Sequence, residues 1–136
     1  MKIVLDTNVI ISAFISSGLA NRVFEKCIEK HKLFISDWII TEVTEKLENK
    51  FRVPENLIEK IKNYFETYFN RIDLKNIELP YICRDKDDNN ILALAKLADV
   101  DIIITGDKDL LILKEYQKIK IIDPRKYYDD FEIIKS

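Results

Sequence analysis

Glycine occurs twice and proline three times in 136 residues, and no stretch is rich in Ser, Gly or Pro. That poverty excludes a flexible linker, a tail or a low-complexity segment. The length suits one domain, residues 1–136, around a single core. The two cysteines, Cys27 and Cys83, have no metal-like spacing and are too few for a disulfide framework. No run approaches the length of a membrane span, and Asp6 interrupts Ile3-Val4-Leu5 before it reaches signal-peptide length. The expectation is a cytoplasmic protein with reduced thiols and no membrane contact. Neither sign of charge dominates: 22 basic and 24 acidic residues leave a formal net charge of -2. Bulk charge therefore does not announce a nucleic-acid binder, although acids gathered around cations would leave the remaining surface more basic than the sum suggests.

What is present is a set of short β-branched runs: Ile3-Val4-Leu5, Leu33-Phe34-Ile35, Ile102-Ile103-Ile104 and Ile119 to Ile122. Such continuous runs suit strands buried on both faces. Helical spacing lies between them: Ala20, Val23, Phe24, Cys27 and Ile28; Ile39, Ile40, Val43 and Leu47; Leu57, Ile61, Tyr64, Phe65 and Tyr68 after Pro54 at a first-turn position; and Ile91, Leu92, Ala95 and Ala98. Strands alternating with helices predict an α/β fold, a three-layer α/β/α sandwich with a central, mainly parallel sheet. The rings of Tyr64, Phe65, Tyr68 and Phe69 exceed what one core face needs; half are read as core, and the others as core or a pairing surface. Tyr127, Tyr128 and Phe131 near the end are read as packing on the sheet's edge.

In parallel α/β sheets a ligand site lies outside the carboxyl ends of the strands. The residues there are polar: Asp6-Thr7-Asn8, Ser36-Asp37 with Glu42 one turn on, and Thr105-Gly106-Asp107-Lys108-Asp109, with Asp85 to Asn90 leading into the helix near Ile91. Some of these have local explanations, Asp87 or Asp88 as a helix cap, Ser36 as another, Asp37 complementing a dipole. A cap does not account for Asp6, whose carboxylate ending a buried strand needs a partner. If Asp6, Glu42, Asp88 and Asp107 converge, each pair at about 5 Å repels by roughly 3 kcal/mol at an effective dielectric near 20. Protons or cations must offset that. Oxygen ligands without a suitably placed His or Cys favour Mg2+ or Mn2+ over zinc. His31, the single histidine, is read as a surface residue before the second strand.

Four segments in order, Leu5-Asp6-Thr7-Asn8-Val9, Glu42 in its helix, Asp88-Asn89-Asn90-Ile91-Leu92-Ala93-Leu94-Ala95 and Thr105-Gly106-Asp107-Lys108-Asp109-Leu110, give a chain that resembles the PIN domain family, and within it the small prokaryotic toxin-like PIN proteins. The likeness runs from Met1 to about Pro124. It implies a metal-dependent nuclease acting on RNA, the toxic partner of a small antitoxin protein, and a homodimer. By the same resemblance Asp6, Glu42, Asp88 and Asp107 are the four acids, both catalytic and metal-binding, with Asn8 and Thr105 as polar supporters. Asp109 competes with Asp107 for the metal, and Asp85 and Asp87 compete less strongly with Asp88. Arg84, Lys86 and Lys108 are either phosphate contacts or solvated loop charges.

Three other readings are weighed. A haloacid-dehalogenase-type phosphatase wants Asp-x-Asp where this chain has Asp6-Thr7-Asn8. A receiver-type domain wants paired acids after strand one and an acceptor Asp after a middle strand, which Ser36-Asp37 fits poorly. A non-catalytic PIN-like module binding RNA or protein is the alternative, although the acid set is complete.

Overall fold

The computed structural model describes residues 1–132, with side chains through Asp130. Six strands form one sheet in the order β3-β2-β1-β4-β6-β5: β1 (Lys2–Leu5), β2 (Lys32–Ser36), β3 (Phe69–Ile72), β4 (Ile102–Ile104), β5 (Glu115–Tyr116) and β6 (Ile119–Ile122). All neighbours are parallel except β5, which runs antiparallel to β6. The four apolar runs are therefore β1, β2, β4 and β6, and the three β-branched residues of β4 sit fully inside.

Helices α1 (Thr7–Ile15) and α2 (Leu19–Lys30) join β1 to β2, and α3 (Asp37–Asn49) and α4 (Glu55–Tyr68) join β2 to β3. These two crossovers step the same way across the sheet, and α1 packs on α2 and α3, α3 on α4. Helix α5 (Lys86–Ala98) returns the chain from β3 to β4 and packs on β1 and β2. Right-handed crossovers running in opposite directions place α5 on the other face, completing the three layers. Short helices α6 (Lys108–Leu111) and α7 (Pro124–Tyr127) and a π-helical turn, Tyr128–Glu132, finish the described chain.

Several details depart from the sequence reading. Helix α1 was not expected, and its start makes Asp6 a helix N-cap accepting the Thr7 amide at 2.7 Å. Pro54 is the N-cap of α4, one residue before its first turn. Phe69 opens β3, a strand not expected from the sequence. Phe65 and Phe69 are buried, Tyr64 is half-buried against Phe14 and Phe24, and Tyr68 is 49% exposed. His31 is half-buried, not a surface residue, because Nε2 meets the Tyr127 hydroxyl at 3.0 Å and Nδ1 meets the chain's amino terminus at 3.1 Å. Tyr127 is buried, with α7 packing on α2, and Tyr128 is half-buried; the Phe131 side chain lies outside the described residues. No helix among the described residues is long and apolar enough to cross a membrane.

Candidate metal centre

The sheet reverses its strand order between β1 and β4, since from β1 the chain goes to β2 on one side and from α5 enters β4 on the other. A crevice opens at such a switch point, outside the strands' carboxyl ends. Asp6 leaves β1 there and Thr105 leaves β4 beside it, one step beyond the Leu5–Ile104 pairing. The cleft that Asp6 borders measures about 100 Å3, and Glu42, Asp85, Asp87, Asp88 and Asp107 also line it, with Thr105 buried outside the lining. That volume is room for an ion with coordinating water.

Each acid has a local reason for its position. Asp6 ends a buried strand and caps α1; it is 6% exposed, and its Oδ2 accepts the Thr105 hydroxyl at 2.6 Å. Thr105 in turn accepts the Asp107 amide at 2.9 Å, so one hydroxyl ties two acids together. Asp107 caps α6 by accepting the Asp109 amide at 2.8 Å. Asp85, not Asp87 or Asp88, caps α5, accepting the Asp87 amide at 2.9 Å. Because Asp85 takes that duty, Asp88 falls in the first turn with its side chain free to turn inward, 4% exposed. Ser36 caps α3 as expected through Ile39. Asp37 lies in the first turn of α3 and pairs with Arg71 of β3.

Burial and mutual repulsion show in the acids' proton affinities. The Asp88 carboxyl is pushed up to about 7, by desolvation first and then by Asp107, which lies close enough to share a proton, and by Asp6. Asp6 is raised by burial, with the Thr105 and Thr7 hydrogen bonds opposing and Asp107 adding. Glu42 is raised by burial and by Asp87, with Lys46 opposing.

The expected residues do not all meet at one point. Asp88, Asp107 and Asp109 present oxygens within 4.8 Å of one another. Glu42 instead neighbours Asp87 across the cleft. Asn8 lines the cleft, whereas Asp109 does not and faces Arg84 at 3.4 Å. Arg84, Lys86 and Lys108 are exposed and outside the lining. Sequence reasoning missed Lys46 and Trp38, both in the lining. Their signal was present: residues 38, 42 and 46 repeat at four-residue intervals and so share one face of α3.

The donor set fits a hard divalent cation. Two buried side-chain polar atoms among the described residues lack a hydrogen-bond partner, Thr7 Oγ1 and Asp88 Oδ2, and both residues line this cleft. An unpaired buried carboxylate oxygen beside other acids is costly unless a proton or cation meets it.

The family model described as PIN domain matches residues 2–109. An uncharacterized protein of Methanocaldococcus jannaschii is 32% identical over 146 aligned residues, covering 97% of this chain and 92% of that protein. Among solved structures, a chain of VapBC2 from Rickettsia felis, crystallised bound to a DNA fragment from their promoter, matches with a TM-score of 0.61 at 12% identity, covering 90% of this chain and 98% of that one. At that identity the likeness concerns the fold, which the two share.

Proposed function

The chain belongs to the PIN domain family, and from that premise we propose that it is a Mg2+- or Mn2+-dependent endoribonuclease and the toxin component of a pair with a small antitoxin. We take residues 1–136 as a single nuclease domain working in the cytoplasm. The observation that carries the reading is the orphaned Asp88 Oδ2, buried among carboxyls at the sheet's switch point. Its surroundings ask for a cation and offer only oxygen ligands.

We assign Asp88 and Asp107 as the principal metal ligands, with Asp6, Glu42 and Asp109 completing the set directly or through water. A divalent ion bound there supplies charge neutralisation at the scissile phosphodiester and activation of water near neutral pH. The chain's own groups do the remaining work. Thr105 and the Thr7 amide fix the direction of the Asp6 carboxylate. Glu42, raised by burial and by Asp87, is suited to take a proton from the attacking water. Lys46, the cation in the lining, is placed to meet a phosphate oxygen in a cleft that otherwise repels RNA. Asn8 and Thr105 act as polar supporters.

The same reading extends to a homodimer. An apolar groove of about 370 Å3 between α1 and α4, lined by Phe14, Ile15, Leu57, Ile61 and Tyr64 among others, supports that assignment. The test of the main reading is cleavage of mixed single-stranded and structured RNAs by purified protein with magnesium, manganese or EDTA, beside Asp6→Asn. Cutting that needs metal and vanishes in the variant is expected. Its absence over a broad panel, with folded and metal-loaded protein, would instead favour a non-catalytic PIN-like module binding RNA or protein.

A further inference from the structure

Trp38 is the chain's single tryptophan, and it stands apart from the other rings. Phe14, Phe24, Tyr64, Phe65 and Phe69 cluster around α4. Trp38 instead sits at the second position of α3, half-buried, packed against the core and lining the acidic cleft. Every other residue lining that cleft carries a polar or charged side chain. Among the described residues no ring stacks on the indole, no cation lies over it and no hydrogen bond engages it. A large apolar ring beside repelling carboxylates gives up burial that a polar residue would not need.

The helix supplies the rest. Trp38, Glu42 and Lys46 form one stripe on α3, an aromatic plane, a carboxylate and an ammonium in line along the cleft. These are the three chemistries a nucleotide at a cleavage site asks for: a surface for the base, an acid beside the reacting centre and a cation for phosphate.

We propose that Trp38 is the base-stacking platform of the site, holding an unpaired nucleobase against the indole while the adjoining phosphate enters the cleft beside Lys46. Such stacking needs a base freed from its neighbours at the point of cleavage, since a paired base has both faces covered within the duplex. This rests on the nuclease reading for the identity of the strand. Stacking suits an acidic site because it does not depend on charge, whereas phosphate contacts there work against repulsion.

Because the chain has one tryptophan, its emission reports on Trp38 alone. The Asp6→Asn protein, which leaves RNA uncut, is titrated with a single-stranded RNA oligomer, the same oligomer in a duplex, and one carrying an abasic nucleotide next to the cut site, each end-labelled so that anisotropy records binding. Saturable quenching by the single strand, little by the duplex, and recovered emission with the abasic oligomer are expected. Binding without quenching, equal quenching by the duplex, or no binding at all would overturn the inference. In the cleaving protein, Trp38→Leu should raise KM about tenfold or more with kcat changed less than threefold, and Trp38→Phe should restore most of the loss. A loss confined to kcat, or one tracking melting temperature in both variants, would mark a merely structural ring. Quenching without cutting would sink the nuclease reading and keep this one, and cutting without quenching would do the reverse.

Discussion

Thr105 donates its hydroxyl proton to Asp6 Oδ2 at 2.6 Å, across the join between the parallel strands β4 and β1. The Thr105 hydroxyl oxygen in turn accepts the Asp107 amide. A buried residue at the head of one strand thereby sets the orientation of an acid on the next and of an acid two residues along its own chain.

Thr105→Val keeps the shape and removes both bonds. A buried carboxylate loses a donor and an amide loses an acceptor, so stability should fall by about 1–3 kcal/mol, and cleavage by at least tenfold. Thr105→Ser should recover most of both. Urea melts and initial cleavage rates check this; a Val variant with wild-type rates would remove Thr105 from the site.

Without metal, stability should fall as pH rises from about 4 to about 7. The Asp88 carboxyl titrates near 7 in the folded chain and near 3.9 when unfolded. Between those values the folded chain keeps a proton that the unfolded chain has lost, so deprotonation favours unfolding. Asp6 and Glu42 are raised too and push the same way. In EDTA the melting temperature should drop on the order of 5 °C between pH 5 and 7.5. Saturating Mg2+ or Mn2+ should lift the value at pH 7.5, because only the folded chain gathers the ligands. A flat profile in EDTA would contradict the raised carboxyls.

Asp6→Asn should abolish cleavage, by 100-fold or more, without destabilising the metal-free protein at pH 7.5. Burial already disfavours the charge on Asp6, and an amide oxygen can still accept the Thr7 amide. Thermal melts beside cleavage assays separate the two effects, and a large drop in melting temperature would show that the carboxylate itself holds the fold.

Asp107→Asn should weaken Mn2+ binding more than Asp109→Asn. Asp107 lines the cleft and lies against Asp88, while Asp109 is turned toward Arg84, itself 89% exposed. Titration calorimetry with Mn2+ decides the order. The reverse ranking would exchange their roles.

The β-branched runs were legible because strands buried on both faces have no alternative in so short a stretch, and Asp6 and Asp107 were legible because they follow two of those runs, whereas Glu42 lies inside α3 and Asp88 in the first turn of α5. Helix α1 was not, because Val9-Ile10-Ile11 with Ala13 is buried nearly all round and shows no 3.6-residue stripe. That omission hid the capping role of Asp6. Strand β3 escaped because Phe69-Asn70-Arg71-Ile72 is short, half polar and at an edge, following α4 without a break. Asp85 could not be separated from Asp87 and Asp88 as a cap until the helix start was fixed. Trp38 and Lys46 needed only the step of reading α3 outward from Glu42 at four-residue spacing.

Thr105 and Asp6 are 99 residues apart in the chain, and β4, which carries Thr105 to its place, is held between β1 and β6. A chain that stops short of Thr105 leaves Asp6 Oδ2 without its hydroxyl donor and lacks Asp107, and one that stops before β6 leaves β4 without its outer neighbour. The Asp6–Thr105 bond is thus a long-range contact, made only when β1 and β4 lie side by side in the sheet.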